Sequence, residues 1–374
     1  MTKTWSELYT QLASEAKKRK VFLAGSFELT ARCNLQCKMC YVRHPANDKQ
    51  AKEKELTTAQ WIRIAEEAQD AGLLFLTLTG GEVFLREDFK ILYEKFMNLG
   101  LLINIYTNGT LITPEIVNWL ASMPPALVSI TLYGASRETY QKVTGSADGY
   151  DRTVKAIDIL IAKGLPTEVK TTVIQGNKAD FDQLHNFVLE RNIGLGVVNY
   201  ISPSREGCNS DPCGNRLSPD ELLNYEIHMT KRNEESREKN GSKNISKLED
   251  AVSEVNPPQK DIKIPNENSD FAFRCQVGSC AGWLTWDGRL IPCGILDTPE
   301  TYPLLTGFSK AWEELKQKLS LIPVCQECRN CQYNSLCERC PARLYRETGK
   351  YDEPAPYLCE LARKRVEYNK VNRI

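Results

Sequence analysis

The segment Cys33-Asn34-Leu35-Gln36-Cys37-Lys38-Met39-Cys40 places three thiols within eight residues. Residues 27–32, just before it, alternate loosely between apolar and polar side chains, which predicts a strand that ends in a loop at the rim of a sheet. A 4Fe–4S cluster usually takes one thiolate on each of its four irons, so a loop with three cysteines leaves one iron open to a ligand that is not protein. The alternative is zinc, which prefers four ligands in paired Cys-x2-Cys knuckles and would need its fourth ligand from a distant segment.

The Cys-x3-Cys-x2-Cys spacing after a first strand resembles the signature of radical S-adenosylmethionine (SAM) enzymes. The resemblance implies that Cys33, Cys37 and Cys40 hold a 4Fe–4S cluster, whose open iron binds the amino and carboxylate groups of SAM. It also implies that one electron cleaves SAM to a 5′-deoxyadenosyl radical. Met39 stands where the family most often has an aromatic side chain beside the adenine, and a polarizable Met can pack on that ring.

The composition is that of an ordinary globular protein of 374 residues, 41% of them hydrophobic, with 48 basic and 48 acidic side chains. This balance provides no net charge that would attract nucleic acid or an anionic membrane. No apolar run approaches the ~20 residues of a membrane span, and the N-terminus lacks a signal-peptide core. We therefore expect a cytoplasmic protein. Fourteen cysteines exceed what packing needs, and a reducing compartment disfavours disulfides, so they indicate metal binding.

Short apolar segments alternate with helical patterns from residue 21 to about residue 200. The predicted strands are 21–30, 74–79, 101–106, 127–132, 168–174 and 194–201. The predicted helices between them are 58–71, 87–99, 114–122, 150–163 and 178–191. Six βα units with right-handed crossovers predict an α/β fold, a partial (β/α)6 TIM-like barrel with its functional groups at the carboxyl ends of the strands.

The chain divides into four predicted segments. Residues 1–20 form a capping helix, 21–215 the partial barrel, 216–270 a charged helical linker, and 271–374 a small cysteine-rich domain. A peptide-recognition domain before Cys33 would need roughly 80 residues, which the segment does not offer. We therefore expect any peptide-guiding module to be a separate chain.

Two turns at strand ends extend the resemblance. Gly80, Gly81 and Glu82 follow the second predicted strand, where paired glycines let an ammonium group approach backbone carbonyls. In the family, a Gly-Gly-Glu motif holds the amino group of SAM, and a Thr-Asn-Gly turn, here at Thr107 and Asn108, lies near SAM. The alternative for both is a plain turn.

Four further residues are assigned to SAM by the resemblance. Thr131 matches a hydroxyl that contacts the ribose, and Ser129 shares its face by strand alternation. Arg152 would pair with the SAM carboxylate, with a solvated surface arginine as the alternative. The segment at Ile174 resembles one whose backbone reads adenine.

Cys208 and Cys213 lie in the loop after the sixth predicted strand, at the mouth of the barrel. A thiol at this position can donate a hydrogen atom to a substrate radical, ligate a cluster, or join a redox pair. The alternative is that both are incidental loop thiols.

Nine of the fourteen cysteines lie in the last hundred residues. Their spacing resembles the SPASM extension of peptide-modifying radical SAM enzymes, although Cys337-x2-Cys340 is one residue shorter than the family pattern. The resemblance implies two auxiliary 4Fe–4S clusters. The first set is Cys275, Cys280, Cys293 and Cys340, and the second is Cys328, Cys331, Cys337 and Cys359. A hairpin turn at Asp287-Gly288 would bring Cys280 and Cys293 together. Cys325 is left over, and two structural zinc sites are the alternative.

These patterns predict a radical SAM enzyme that takes hydrogen from a peptide or protein residue and passes an electron to its auxiliary clusters. The favoured reaction is a thioether or carbon–carbon cross-link in a ribosomal peptide. The alternatives are sulfatase-maturase-like oxidation of Ser or Cys, epimerisation with Cys208 or Cys213 as hydrogen donor, small-molecule dehydrogenation, and a non-enzymatic iron–sulfur electron carrier. Expected partners are the substrate, a flavodoxin- or ferredoxin-type electron donor, and a separate peptide-recognition protein. The sequence does not identify a catalytic base.

Overall fold

One mixed sheet organises the protein in the computed structural model, which describes residues 5–205, 208, 210–240 and 271–372. The strands are β1 (Ala24–Thr30), β2 (Arg32–Cys33), β3 (His44–Pro45), β4 (Phe75–Gly80), β5 (Leu102–Thr107), β6 (Leu127–Thr131), β7 (Thr167–Thr172), β8 (Gly194–Val198), β9 (Ala281–Leu284) and β10 (Leu290–Ile291). Eight of them form the main sheet in the order β10-β9-β1-β4-β5-β6-β7-β8, and β2 pairs with β3 beside it.

Helices follow the strands of the main sheet and continue through the C-terminal region. They are α1 (Trp5–Arg19), α2 (Lys49–Lys54), α3 (Thr58–Asp70), α4 (Phe89–Asn98), α5 (Pro114–Ser122), α6 (Arg137–Thr144), α7 (Gly149–Ala162), α8 (Phe181–Glu190), α9 (Pro212–Asn215), α10 (Pro219–Asn240), α11 (Pro303–Thr306), α12 (Phe308–Ser320), α13 (Gln326–Arg329), α14 (Pro341–Thr348) and α15 (Pro356–Asn372). No helix in the described ranges is both long and apolar enough to cross a membrane.

The predicted α/β fold is confirmed, with β1 and β4 to β8 as six parallel neighbours. The sheet has eight strands rather than six. β9 pairs in parallel with β1, and β10 pairs antiparallel with β9. In a six-stranded sheet β1 would be an open edge with unpaired backbone groups, and the hairpin from the cysteine-rich region covers it. That region is therefore built into the sheet.

The segments that flank the sheet match the predictions in part. α1 packs Tyr9, Ala13 and Ala16 against Leu23, at the amino end of β1. The predicted linker begins with α10, and its remainder, residues 241–270, lies outside the described residues. α6 was not predicted, although Ser136 caps its first turn and Gly145 ends it in a left-handed conformation.

The two faces of the parallel sheet differ in chemistry. On one face apolar side chains of neighbouring strands pack under the helices, and Phe27, for example, contacts Trp61 of α3 and Phe96 of α4. The other face, here called the polar face, carries Ser26, Glu28, Thr77, Thr79, Asn104, Tyr106, Ser129, Thr131, Glu168 and Lys170 in register. Four of these residues are buried, namely Glu28, Asn104, Ser129 and Glu168. Parallel sheets are normally apolar on both faces, so this polar face indicates a binding site.

Candidate active site

The three-cysteine loop follows β1 and is held by the end of α6. The backbone N–H of Gln36 donates to the Thr144 carbonyl at 2.7 Å, and that of Lys38 donates to the Val143 carbonyl at 3.1 Å. Leu35 and Met39 are buried. The helix that sequence reasoning missed, α6, therefore holds the loop in place. A capping serine at position 136 and a terminating glycine at position 145 could have indicated this helix.

The thiols of this loop are held in a setting that disfavours bare thiolates. Burial raises the pKa of Cys33 to about 12, with Glu82 and Cys40 adding to the effect. Burial also raises the pKa of Cys40 to about 11 and that of Cys37 well above its usual value, with Cys40 and Cys33 contributing at Cys37. Three thiolates in this setting need a nearby positive charge to stabilise them, and a metal cluster provides it.

The Gly-Gly-Glu segment, Gly80 to Glu82, packs against the backbone that leads into the three-cysteine loop. The Gly81 N–H donates to the Thr30 carbonyl at 2.7 Å. The Glu82 carboxylate accepts from the Thr107 hydroxyl at 2.7 Å, the Asn108 N–H at 2.8 Å and the Phe84 N–H at 3.1 Å. Burial raises the pKa of this carboxyl, and these donors oppose the shift. Glu82 thus joins the ends of β4 and β5.

Gly81 has no room for a side chain, because a Cβ there would lie 2.2 Å from the Arg32 carbonyl oxygen. We expect Gly81→Ala to push the backbone before Cys33 aside, lowering the free energy of unfolding by roughly 1–3 kcal/mol and weakening iron loading. Denaturant unfolding and iron analysis measure both. Gly164→Ala is the control, since its Cβ meets nothing within 4 Å and only its left-handed backbone is strained. Equal iron loading in both variants would contradict the steric account.

The Thr-Asn-Gly turn contacts the three-cysteine loop directly. The Asn108 side-chain amide donates to Asn34 Oδ1 at 2.9 Å and to Cys33 Sγ at 3.7 Å. Asn34 donates to the Thr110 hydroxyl at 2.8 Å, which donates to Asn108 Oδ1 at 2.6 Å. This closed ring of hydrogen bonds orients Cys33. The sequence alone did not indicate that Asn34 and Thr110 contribute to it.

Met39 and Ile174, both predicted to adjoin adenine, lie in one small buried cluster with Val143 and Ile201. Cys37 packs against the edge of this cluster. The Ile174 N–H donates to Asn177 Oδ1 at 2.9 Å, and the Asn177 amide donates to the Tyr133 and Thr172 carbonyls. The structure thus brings the two predicted contacts together, and their role toward adenine stays a prediction.

The other predicted SAM contacts lie on or beside the polar face. Ser129 is buried and donates to Glu168, and Thr131 is the register partner of Lys170. The Arg152 side chain is 44% exposed and pairs with Asp148 at 3.1 Å. It precedes Thr153, whose hydroxyl donates to the Asn108 carbonyl, so Arg152 lies at the same end of the sheet as the predicted site.

Cys208 and Cys213 lie in different surroundings. Cys208 Sγ is 3.3 Å from the Cys40 carbonyl oxygen, beside the three-cysteine loop. The pKa of Cys213 is raised by burial, and its charged neighbours are Arg216, Glu347 and Asp211. The structure therefore does not pair the two thiols with each other, and only Cys208 adjoins the loop.

The second set of C-terminal cysteines converges on one cavity. Cys328, Cys331, Cys337 and Cys359 all line it, together with Arg339. Cys325 is set back from the lining, where its Sγ accepts the Cys328 N–H at 3.4 Å. All fourteen cysteines are free thiols. The donor set of this cavity suits a cluster with four thiolate ligands.

The first C-terminal set is only partly assembled. Burial raises the pKa of Cys275 to about 12, and the neighbouring thiols of Cys340 and Cys293 add to this shift. Cys280 is not with them, which corrects its predicted place. It is fully buried against α1, with its Sγ 3.9 Å from the Ala13 carbonyl oxygen. Burial raises the pKa of Cys280 to about 11, and Lys17 opposes the shift.

Strand alternation explains the position of Cys280. The hairpin pairs Leu284 with Leu290 and Trp283 with Ile291. If this pairing is continued by two residues along each strand, Cys293 falls opposite residue 281. Cys280 is one residue out of phase and faces the other side. Within the described ranges, no three His, Cys, Asp or Glu side chains lie close enough together to hold a single metal ion.

Sequence reasoning missed the buried ion pair between Glu28 on the polar face and Arg205 in the loop after β8, whose Oε2 and Nη1 atoms lie 2.8 Å apart. The alternation of β1 could have indicated Glu28, since a carboxylate there falls on the face opposite Phe27 and Leu29. No pattern in the sequence identifies Arg205, because its partners are distant in the chain.

Comparisons with known proteins agree with this site. Residues 27–188 match the model of the radical SAM superfamily. The chain is 27% identical over 349 residues to an AdoMet-dependent heme synthase of Methanosarcina barkeri, covering 89% of this chain and 95% of that protein. It is 31% identical over 176 residues to the PqqA peptide cyclase of Rhizobium meliloti, 46% of each chain. The structure of Streptococcus suis SuiB bound to precursor peptide SuiA superposes with a TM-score of 0.67 at 18% identity, over 92% of this chain and 78% of that one.

Proposed function

We propose, from the premise that this chain carries a radical SAM domain over residues 27–188, that it oxidises a residue of a peptide or protein substrate. The favoured product is a thioether or carbon–carbon cross-link within a ribosomally made peptide. One observation carries the choice of substrate, namely the polar face, which runs across the five parallel strands β1 and β4 to β7.

The polar face offers hydrogen-bond acceptors. Among the described residues, Glu28 Oε1, Asn104 Oδ1 and Glu168 Oε2 are buried there without a hydrogen-bond partner. A buried polar atom left unpaired costs about 1–3 kcal/mol, so such atoms indicate a ligand that supplies donors. Peptide backbone and side-chain N–H groups are donors of this kind.

The geometry supports an assignment of the residues that would hold the cofactors. Cys33, Cys37 and Cys40 would bind the 4Fe–4S cluster, and the turns at Gly81 and Asn108 flank the place where SAM would bind. Once bound, these groups would supply the radical chemistry that removes hydrogen from an unactivated C–H bond. The chain's own contribution is to hold that bond in place, since an error of about 1 Å costs ~100-fold in rate.

The C-terminal cysteines extend the proposal. Cys328, Cys331, Cys337 and Cys359 would hold one auxiliary 4Fe–4S cluster, and Cys275, Cys293 and Cys340 a second that lacks Cys280. Their role would be to accept the electron left on the substrate. A flavodoxin- or ferredoxin-type donor and a separate peptide-recognition protein complete the proposed system.

A second candidate is modification of a tetrapyrrole, because a relative matched over 89% of this chain is named a heme synthase. Heme carries carboxylates, which call for free cations in the site. The cations near the polar face are engaged: Lys170 donates to Tyr106 and lies 3.4 Å from Glu168, and Arg205 pairs with Glu28. The acceptor-rich face therefore favours the peptide.

The test is an anaerobic assay of the reconstituted full chain with SAM and dithionite. We expect 5′-deoxyadenosine to form, and to form faster with a short Cys-containing peptide encoded near the gene. A peptide that loses two hydrogens by mass supports a cross-link. Porphyrins bearing carboxylates serve as the competing substrates in parallel reactions.

Other outcomes separate the alternatives. Unchanged mass with deuterium uptake from solvent indicates epimerisation, and oxidation confined to one Ser or Cys indicates a sulfatase-maturase-like reaction. Conversion of a porphyrin alone would overturn the peptide assignment. Absence of 5′-deoxyadenosine from a fully loaded chain would favour an electron carrier.

A further inference from the structure

Arg205 connects the two cysteine systems. Its guanidinium donates from Nε and Nη2 to the Gly294 carbonyl at 3.0 and 2.7 Å, next to Cys293. Its own backbone N–H donates to the Tyr41 carbonyl at 2.9 Å, next to Cys40. One residue thus holds the backbone that follows each of two proposed cluster ligands.

Glu28 balances this cation from the polar face. Its Oε2 accepts from Arg205 Nη1 at 2.8 Å and from Trp283 Nε1 at 2.8 Å. Trp283 lies on β9 opposite Ser26, so the hairpin that carries Cys293 contributes to the same wall. The side chain of Glu28 is 1% exposed and that of Arg205 6% exposed. Solvent therefore screens neither charge effectively.

A buried ion pair is seldom a net source of stability, because desolvation offsets the attraction between the charges. Its persistence here at the junction of two thiol sites suggests an electrostatic use. Arginine cannot lose its proton in a protein, so its positive charge beside Gly294 is permanent. A fixed positive charge stabilises whichever redox state of a neighbouring group is more negative.

We propose that Arg205 is a positioning residue that raises the reduction potential of the auxiliary cluster held at Cys275, Cys293 and Cys340, and that Glu28 limits this rise. The inference rests on the proposed function, since it assigns a residue to the electron-accepting role of that cluster. The step concerned is reduction of the cluster by one electron, which dithionite supplies in the test. Arg205 contacts the Gly294 carbonyl through two donors, whereas Glu28 contacts Arg205 itself. The two charges therefore have opposite and unequal effects.

The experiment is a redox titration of the full-length, cluster-loaded protein followed by electron paramagnetic resonance. The signal that disappears in Cys275→Ala identifies the relevant cluster. We expect Arg205→Gln to lower the equilibrium constant for reduction of this cluster at least tenfold. This corresponds to a fall of about 59 mV in its reduction potential for one electron. We expect Glu28→Gln to raise it, because the cation is then unopposed. Arg205→Lys keeps the charge and should shift the potential much less than Arg205→Gln.

Each outcome has a distinct meaning. A loaded, folded Arg205→Gln protein with an unchanged potential, or a Glu28→Gln protein shifted in the same direction as Arg205→Gln, would overturn the inference alone. If no signal depends on Cys275, the cluster itself is absent, and the electron-accepting part of the proposed function fails with it. Circular dichroism and iron content establish folding, and should Arg205→Gln not fold, the sign of the Glu28→Gln shift decides.

Discussion

Cys37→Ala is expected to abolish 5′-deoxyadenosine formation while the protein still folds. Cys37 lies between the two other loop thiols and packs against the Met39 and Ile174 cluster. Removing one of three thiolates leaves a cluster with two protein ligands, too few to keep one defined open iron. The change removes one partly buried sulfur only, so the free energy of unfolding should fall by about 1 kcal/mol. Chromatographic assay of 5′-deoxyadenosine with dithionite measures the loss.

The matched control for Cys37→Ala is Cys280→Ala. It removes a thiol that is buried under α1, away from the loop. We expect this variant to cleave SAM at the wild-type rate. Wild-type cleavage by Cys37→Ala, or equal loss in both variants, would refute the assignment of the three-cysteine loop.

The second large effect is on iron content. Wild-type protein should bind about twelve irons if three 4Fe–4S clusters form. Cys275→Ala is expected to lower this by about four, because Cys275 lies with Cys293 and Cys340. Cys280→Ala should keep the full complement, since the neighbours of Cys280 are Lys17 and Ser279 rather than thiols. Iron and labile-sulfide analysis of anaerobically loaded protein measures both.

Two results would contradict this assignment. Loss of about four irons from Cys280→Ala would restore that residue as a ligand. About four irons together with two zincs in the wild-type chain would replace the auxiliary clusters by structural zinc sites. In either case SAM cleavage by the loop cluster would be unaffected, so the two predictions can be judged separately.

Local patterns predicted the strands well because they record burial on one face. The segments around β4, β5 and β6 are short and largely apolar, and their predicted bounds differ from the observed ones by at most one residue at either end. Pairings between segments that are distant in the chain were harder to predict from the sequence. β9 joining β1 depends on an edge that exists only after the first six strands have assembled, and α6 was obscured by its polar composition.

The sequence alone determined the α/β fold, the three-cysteine loop and the thiol-rich C-terminal region, since spacing of apolar residues and of cysteines is a local property of the chain. Only the tertiary structure decided which thiols adjoin one another. It separated Cys280 from Cys293 by strand phase, separated Cys208 from Cys213, and joined Glu28 to Arg205. Such contacts depend on register and crossover geometry, which bring together residues far apart in the sequence.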